Sequence, residues 1–142
     1  MSMARHRISA DDRVFLETFD VCAIAPPTFH HREHVRLAYT YLSEGNVLDA
    51  HRRLRASLLA FLAHNGVDPS KYHETITRAW ILAVDHFMER AEPAASFDEF
   101  IASNPRLLDT SIMLTHYSKE TLFSDEARVR YVAPDLAAFP NE

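Results

Sequence analysis

Glycine is nearly missing from this sequence: two residues, Gly45 and Gly66, serve all 142 positions. Because glycine supplies the tight turns and close backbone approaches of phosphate-cradling loops, a glycine-rich nucleotide loop is excluded, and G-x-S-x-G is absent as well. Cysteine occurs once, as Cys22, so no intramolecular disulfide can form, and the residue reads as a small core side chain rather than a nucleophile. No stretch approaches the roughly 18 consecutive apolar residues that cross a bilayer. The opening MSMARHRISADD has no apolar centre of the kind a signal peptide carries. These absences predict a reduced, cytoplasmic setting away from membranes. An excess of positive charge is lacking too: 15 Lys and Arg face 20 Asp and Glu, a formal charge of −5, which argues against wrapping nucleic acid. The short basic run Arg52, Arg53, Arg55 is expected on a solvated helix face.

What the chain does have is periodic hydrophobicity, 47% of its residues, in segments of helical spacing. Ser9 to Cys22 is predicted as a first helix capped by Ser9, with Phe15, Phe19 and Cys22 as its buried stripe. Ala25-Pro26-Pro27 stops it. A second helix is expected from a cap at Thr28 to about Glu44, ending at Gly45, and a third from about Asn46 to His64. The fourth begins near Tyr72 and runs to about Glu92. Ser96 and Glu99 have capping-box spacing for a short fifth helix to Asn104, and Pro105 opens a sixth that reaches about Tyr117. Ser118 and Ser124 cap two more short turns, with Arg128 expected to pair with a carboxylate, and the segment from Val132 lies across the surface. No run alternates with period two. The prediction is one all-α domain over residues 1–142, a bundle of about six or seven helices.

Nine histidines is more than packing requires. On a wheel of about 100 degrees per residue, Val35, Ala38 and Leu42 mark the inward side of the second helix. His31 lies along that direction, His34 about 60 degrees away and Tyr41 just beyond. In the fourth helix Trp80, Val84 and Phe87 point inward; His73 and Thr77 share that side, whereas Glu74 and Thr75 face outward. The histidines His31, His34 and His73 thus sit on apolar faces in the first turns of two helices, where burial and the positive helix end both disfavour imidazolium. Neutral imidazoles suit a metal ion or a general base. His31 and His34 at i, i+3, with His73 as a third ligand, would hold a divalent transition metal such as zinc, iron or nickel. His30 could replace either neighbour. Thr77 and Tyr117 complete the pocket, with His116 nearby; His51, His64 and His86 are expected in solvent.

Other chemistries are excluded. His73-Glu74 is not followed by the second histidine of H-E-x-x-H, because Thr77 occupies that position, and no acidic residue precedes a histidine by three as di-iron bundles require. The blocks FHHREH, YHETIT and YS-KET-LFS-DEAR resemble those of a family of small bacterial all-helical proteins built on F-x-H-x-x-H, Y-H-x-T-x-T and Y-S…L-x-S-x-x-A-R, across most of the chain. The resemblance selects His31 over His30 and implies no activity.

The reading is a histidine-lined pocket between two helix N-termini, formed by His31, His34, Tyr41, His73, Thr77 and Tyr117, that binds a metal ion or a small polar molecule. Were it an enzyme, a metal-activated water or a histidine base would do the work. The competing reading is a non-catalytic helical interaction module whose buried histidines are satisfied by hydrogen bonds.

Overall fold

Ser9 and Asp12 start the first helix by capping each other: the Ser9 hydroxyl accepts the Asp12 N–H at 3.0 Å and the Asp12 carboxylate accepts the Ser9 N–H at 2.9 Å. In the computed structural model, which describes residues 5–142, this helix is α1 (Ala10–Asp20). It ends two residues earlier than the hydrophobic stripe implies. Cys22 takes a left-handed conformation, φ 58°, so that its N–H reaches the Phe19 carbonyl while the Ala23 N–H reaches that of Thr18. That pair of bonds closes the helix as glycine usually would.

The remaining α-helices are α2 (His31–Glu44), α3 (Val47–His64), α4 (Glu74–Arg90), α5 (Phe97–Ser103), α6 (Lys119–Leu122) and α7 (Asp125–Val129). Among the described residues there is no strand and no helix long and apolar enough to cross a membrane. Asn46, Ser96, Ser118 and Ser124 cap α3, α5, α6 and α7 with their side chains, as their residue types predict. Thr28 does not cap α2. It lies in a 3-10 turn (Pro26–Thr28) with its hydroxyl spent on the Ala25 carbonyl, and the cap is His30, whose N–H is held by Glu33 at 2.9 Å. The expected sixth helix is instead two 3-10 segments, Pro105–Leu108 and Thr110–Thr115. Asp109 interrupts it by accepting the Ser111 N–H at 2.9 Å, a local bond that competes with helix propagation.

Helices α2, α3 and α4 pack on one another. One core extends from Leu16 and Phe19 through Tyr39, Leu54 and Ile81 to Phe100, Leu107 and Phe139. α4 is enclosed on several sides at once, since Thr75, Thr77, Ala79, Trp80, Ile81, Leu82, Ala83, Val84 and Met88 are all buried. After α7 the chain runs back across the surface and inserts Phe139 into the core, 3% exposed.

Asp12 joins three elements. Besides capping α1 it accepts the Phe97 N–H that opens α5, at 2.9 Å, and pairs with Arg36 of α2 at 3.0 Å while itself 1% exposed. Burial alone would raise its pKa, but the Ser9 and Phe97 N–H groups and the Arg36 guanidinium outweigh it and hold the carboxyl below its ordinary value. Its contribution to stability is therefore complete above the unfolded-state pKa and is lost as pH falls through the lowered folded-state value. Asp12→Asn should cost about 3 kcal/mol at neutral pH, because it leaves Arg36 uncompensated beside the core. Urea unfolding at pH 7 and again near pH 2.5 should show the gap between wild type and variant narrowing in acid; an unchanged gap would exclude the charge as its source.

Candidate functional site

Of the histidines expected to meet, His73 is buried and His31 and His34 are partly buried, and His31 and His73 are turned to different partners. His73, 8% exposed, is the N-cap of α4: its Nδ1 accepts the Ile76 N–H at 3.1 Å and its Nε2–H donates to the Leu122 carbonyl at the end of α6, at 2.8 Å. Both ring nitrogens are engaged, leaving no lone pair for a metal. Burial lowers its pKa, the bond to Leu122 opposes this in part, and the charge of Arg128 adds to the lowering. His31 packs edge-on against Trp80, ring centres 4.4 Å apart, and donates from Nε2 to the Leu107 carbonyl at 2.9 Å.

His34 differs from both. Its Nε2 is buried with no hydrogen-bond partner, and its nearest described aromatic neighbour is Phe29, with ring centres 6.4 Å apart. Burial and then the proximity of His31 push its pKa down to about 4. The prediction of neutral imidazoles thus agrees with the geometry at His34 and His73.

The three-histidine metal centre does not form. Among the described residues no three His, Cys, Asp or Glu side chains are grouped as an ion would need, because His31 faces the 3-10 turn at Leu107 while His73 faces α6. The other predicted lining residues are also committed elsewhere. Tyr41 points toward α1 and α3, hydrogen-bonded to Ser57 at 2.6 Å and Asp20 at 3.3 Å, with Arg53 over its ring; burial leads the influences that push its hydroxyl up to about 12. Thr77 donates to the His73 carbonyl one turn back, at 2.7 Å, and Tyr117 to the Val132 carbonyl at 2.7 Å.

Three outward assignments also need correction. Thr75 is fully buried, donating to the Arg130 carbonyl at 2.9 Å and accepting the Val132 N–H at 3.0 Å. Glu74 and His51, expected in solvent, bond to each other at 2.9 Å, and the Glu74 carboxylate also accepts from Tyr72 and pairs with Arg55. Burial would raise the Glu74 pKa, but Tyr72, His51 and Arg55 together hold it low. The wheel failed here because α4 is covered on nearly every side and so has little outward face. The His51–Arg55 spacing of one helical turn on α3 was the available signal. Arg128 pairs with no carboxylate and donates to the Ser70 carbonyl at 3.3 Å.

Three cavities on the described surface are lined by none of His31, His34, Tyr41, His73, Thr77 and Tyr117. The most enclosed of the larger two, about 490 Å³, lies between the C-terminal half of α4, the 3-10 segments and the last residues of the chain. α4 contributes His86, Phe87 and Arg90; Asn104, Arg106, Ile112 and His116 form the second side, and Ala138, Phe139 and Pro140 the third. No carboxylate lines it. Neither Arg90 nor Arg106 makes an ion pair among the described residues, and the Arg106 guanidinium stands 6.0 Å from the centre of the Phe87 ring. The third side is held by backbone bonds from Leu136 and Ala137 to the His116 carbonyl, by His116 Nδ1 bonded to the Ala137 carbonyl at 2.7 Å, and by Asn141 bonded to Leu82 and Asp85. The His116 ring lies flat on Phe139, centres 4.1 Å apart. His116 had been marked as able to complete a pocket, whereas His86 had been assigned to solvent.

Compared with known proteins, the chain matches no family model, no curated protein and no solved structure.

His34 makes a measurable difference to acid stability. Between about pH 6.5 and 4 the unfolded chain binds a proton at this residue that the folded chain refuses, so stability falls as pH drops across that window. His34→Gln should remove up to about 3 kcal/mol of that decline. In an NMR titration the His34 ring should not begin to protonate until below pH 5; a midpoint near 6.5 would show the ring to be solvated.

Proposed function

We propose that this protein is a binding domain for a small organic anion, held in the cleft between α4, the 3-10 segments and the C-terminal residues. The observation that carries the reading is the charge of the lining. In a chain with five more acidic than basic residues, the cleft presents two arginines and two histidines and no carboxylate. A concave site with walls of one sign concentrates the opposite charge, and guanidinium is the group best shaped for carboxylate or phosphate oxygens. The C-terminal end of α4 adds a partial negative charge of about half an electron, which two full positive charges exceed. Phe87, Ile112 and Phe139 offer an apolar surface for the body of the ligand, and the volume falls within the roughly 300–1,000 Å³ of small-molecule sites.

On this reading the histidines His31 and His73 are structural, as the competing sequence interpretation held, and the ligand is the small polar molecule rather than the metal. Benzoate, benzamide and benzylamine share one ring and differ in charge. Calorimetry and thermal-shift measurements should show binding of benzoate, weaker binding of benzamide and none of benzylamine. Arg90→Ala combined with Arg106→Ala should weaken benzoate binding about tenfold or more, the effect of losing charge-assisted hydrogen bonds of about 1.5–3 kcal/mol each. Equal affinity for all three compounds, or a double variant that binds benzoate as wild type does, would remove the basis of the proposal.

A further inference from the structure

We propose that His116 makes this cleft selective for anions that also carry a hydroxyl, the ring-borne hydroxy acids being the class that fits; the inference rests on the cleft reading above. It starts from the proton on one nitrogen. The His116 Nδ1 lies 2.7 Å from the Ala137 carbonyl oxygen, and a carbonyl can only accept, so Nδ1 carries the hydrogen. In the neutral ring the other nitrogen, Nε2, then bears a lone pair. It makes no hydrogen bond among the described residues, and it is not one of their buried unpartnered atoms. The lone pair is therefore open to a ligand that enters the cavity His116 lines.

The direction of that lone pair is fixed. The ring is stacked on Phe139 at an interplanar angle of 24°, Nδ1 is tied to the C-terminal segment, and the His116 backbone carbonyl receives the N–H groups of Leu136 at 2.9 Å and Ala137 at 3.3 Å. A side chain held at its face, its edge and its backbone loses little further freedom on binding, which is what makes a hydrogen-bond acceptor discriminating. His86, the other histidine of the cleft, has no bond that sets its tautomer.

The two kinds of polar group in the lining call for different parts of one ligand. Arg90 and Arg106 have only donors and take anionic oxygens; the His116 Nε2 has only a lone pair and takes an O–H. Phe87 and Ile112 line the same cleft, and the Arg106 guanidinium is close to the Phe87 ring, so a flat ring bearing both groups matches the lining better than a flexible chain. A ligand without the hydroxyl leaves the lone pair unpaired or wet, and sites built to bond a hydroxyl reject the analogue that lacks it.

The three monohydroxybenzoates, their methyl ethers and benzoate form the test set, measured by calorimetry on the full chain. The ethers keep ring and carboxylate but cannot donate. At least one hydroxybenzoate should bind about tenfold more tightly than both benzoate and its own ether. His116→Asn retains an amide N–H for the Ala137 carbonyl and places nothing at Nε2; it should erase that margin. The nitrogen-15 shift of His116 provides a readout independent of any variant: in the neutral ring Nδ1 rather than Nε2 should carry the proton, and Nε2 should move when the preferred hydroxybenzoate is added. If every hydroxybenzoate binds no better than benzoate, if the margin survives in His116→Asn, or if Nε2 rather than Nδ1 carries the proton of the neutral ring, the inference is overturned and the anion cleft still stands. If benzoate and all its derivatives fail to bind, the cleft reading falls with it.

Discussion

Every buried backbone carbonyl needs a donor, and the C-terminal third of this protein, made of 3-10 segments, two single-turn helices and an extended run, supplies only part of its own. Side chains make up the deficit, three of them from the N-terminal ends of α2 and α4. His31 reaches Leu107, His73 reaches Leu122, Thr75 reaches Arg130, and Tyr117 reaches Val132. Each bond crosses from a helix or buried segment to a carbonyl that no helix satisfies. A donor that stays put at low dielectric is the requirement, and a neutral imidazole or a hydroxyl meets it at lower desolvation cost than a charged group would. The blocks FHHREH, YHETIT and the paired YS and LFS segments of the sequence are, in physical terms, the attachment points of the irregular third to the helical core.

That is also where the sequence was legible and where it was not. Hydrophobic period and capping residues place α1 to α5 within a few residues, and Ser118 and Ser124 mark the short helices correctly, because these signals are local. The wheel puts His31 and His73 on the inward sides of their helices, which follows from which side of a helix a residue occupies. It cannot say what stands opposite. A carbonyl acceptor belongs to every residue and leaves no trace in residue identity, so a histidine facing Leu122 reads the same as one facing a metal. Thr75 failed for a related reason: a period of 3.6 assigns an outward side even to a helix such as α4 that is surrounded. The cleft was harder still, since Arg90, Arg106 and His116 come from three segments whose meeting depends on where the last residues cross. No spacing in the chain encodes that meeting.

Charge is divided across α4. His86 and Arg90 look into the cleft, whereas Asp85 and Glu89 line a second, more open cavity together with Asp49. Partial burial and the neighbouring Asp85 carboxylate raise the Glu89 pKa, the response expected where like charges gather. The second cavity also takes in Arg5, so three carboxylates and one arginine stand on one side of this helix and two arginines on the other, and the potential changes sign across it.

Ala138, Phe139 and Pro140 come after every helix in chain order, yet they build one side of the cleft. They belong to no helix and are tied to α4 from a distance in sequence: Asn141 bonds Leu82, 59 residues away. The helices can therefore be complete while the cleft still lacks a side. A chain shortened before Ala138 would keep every helical segment and lose one wall of its cleft.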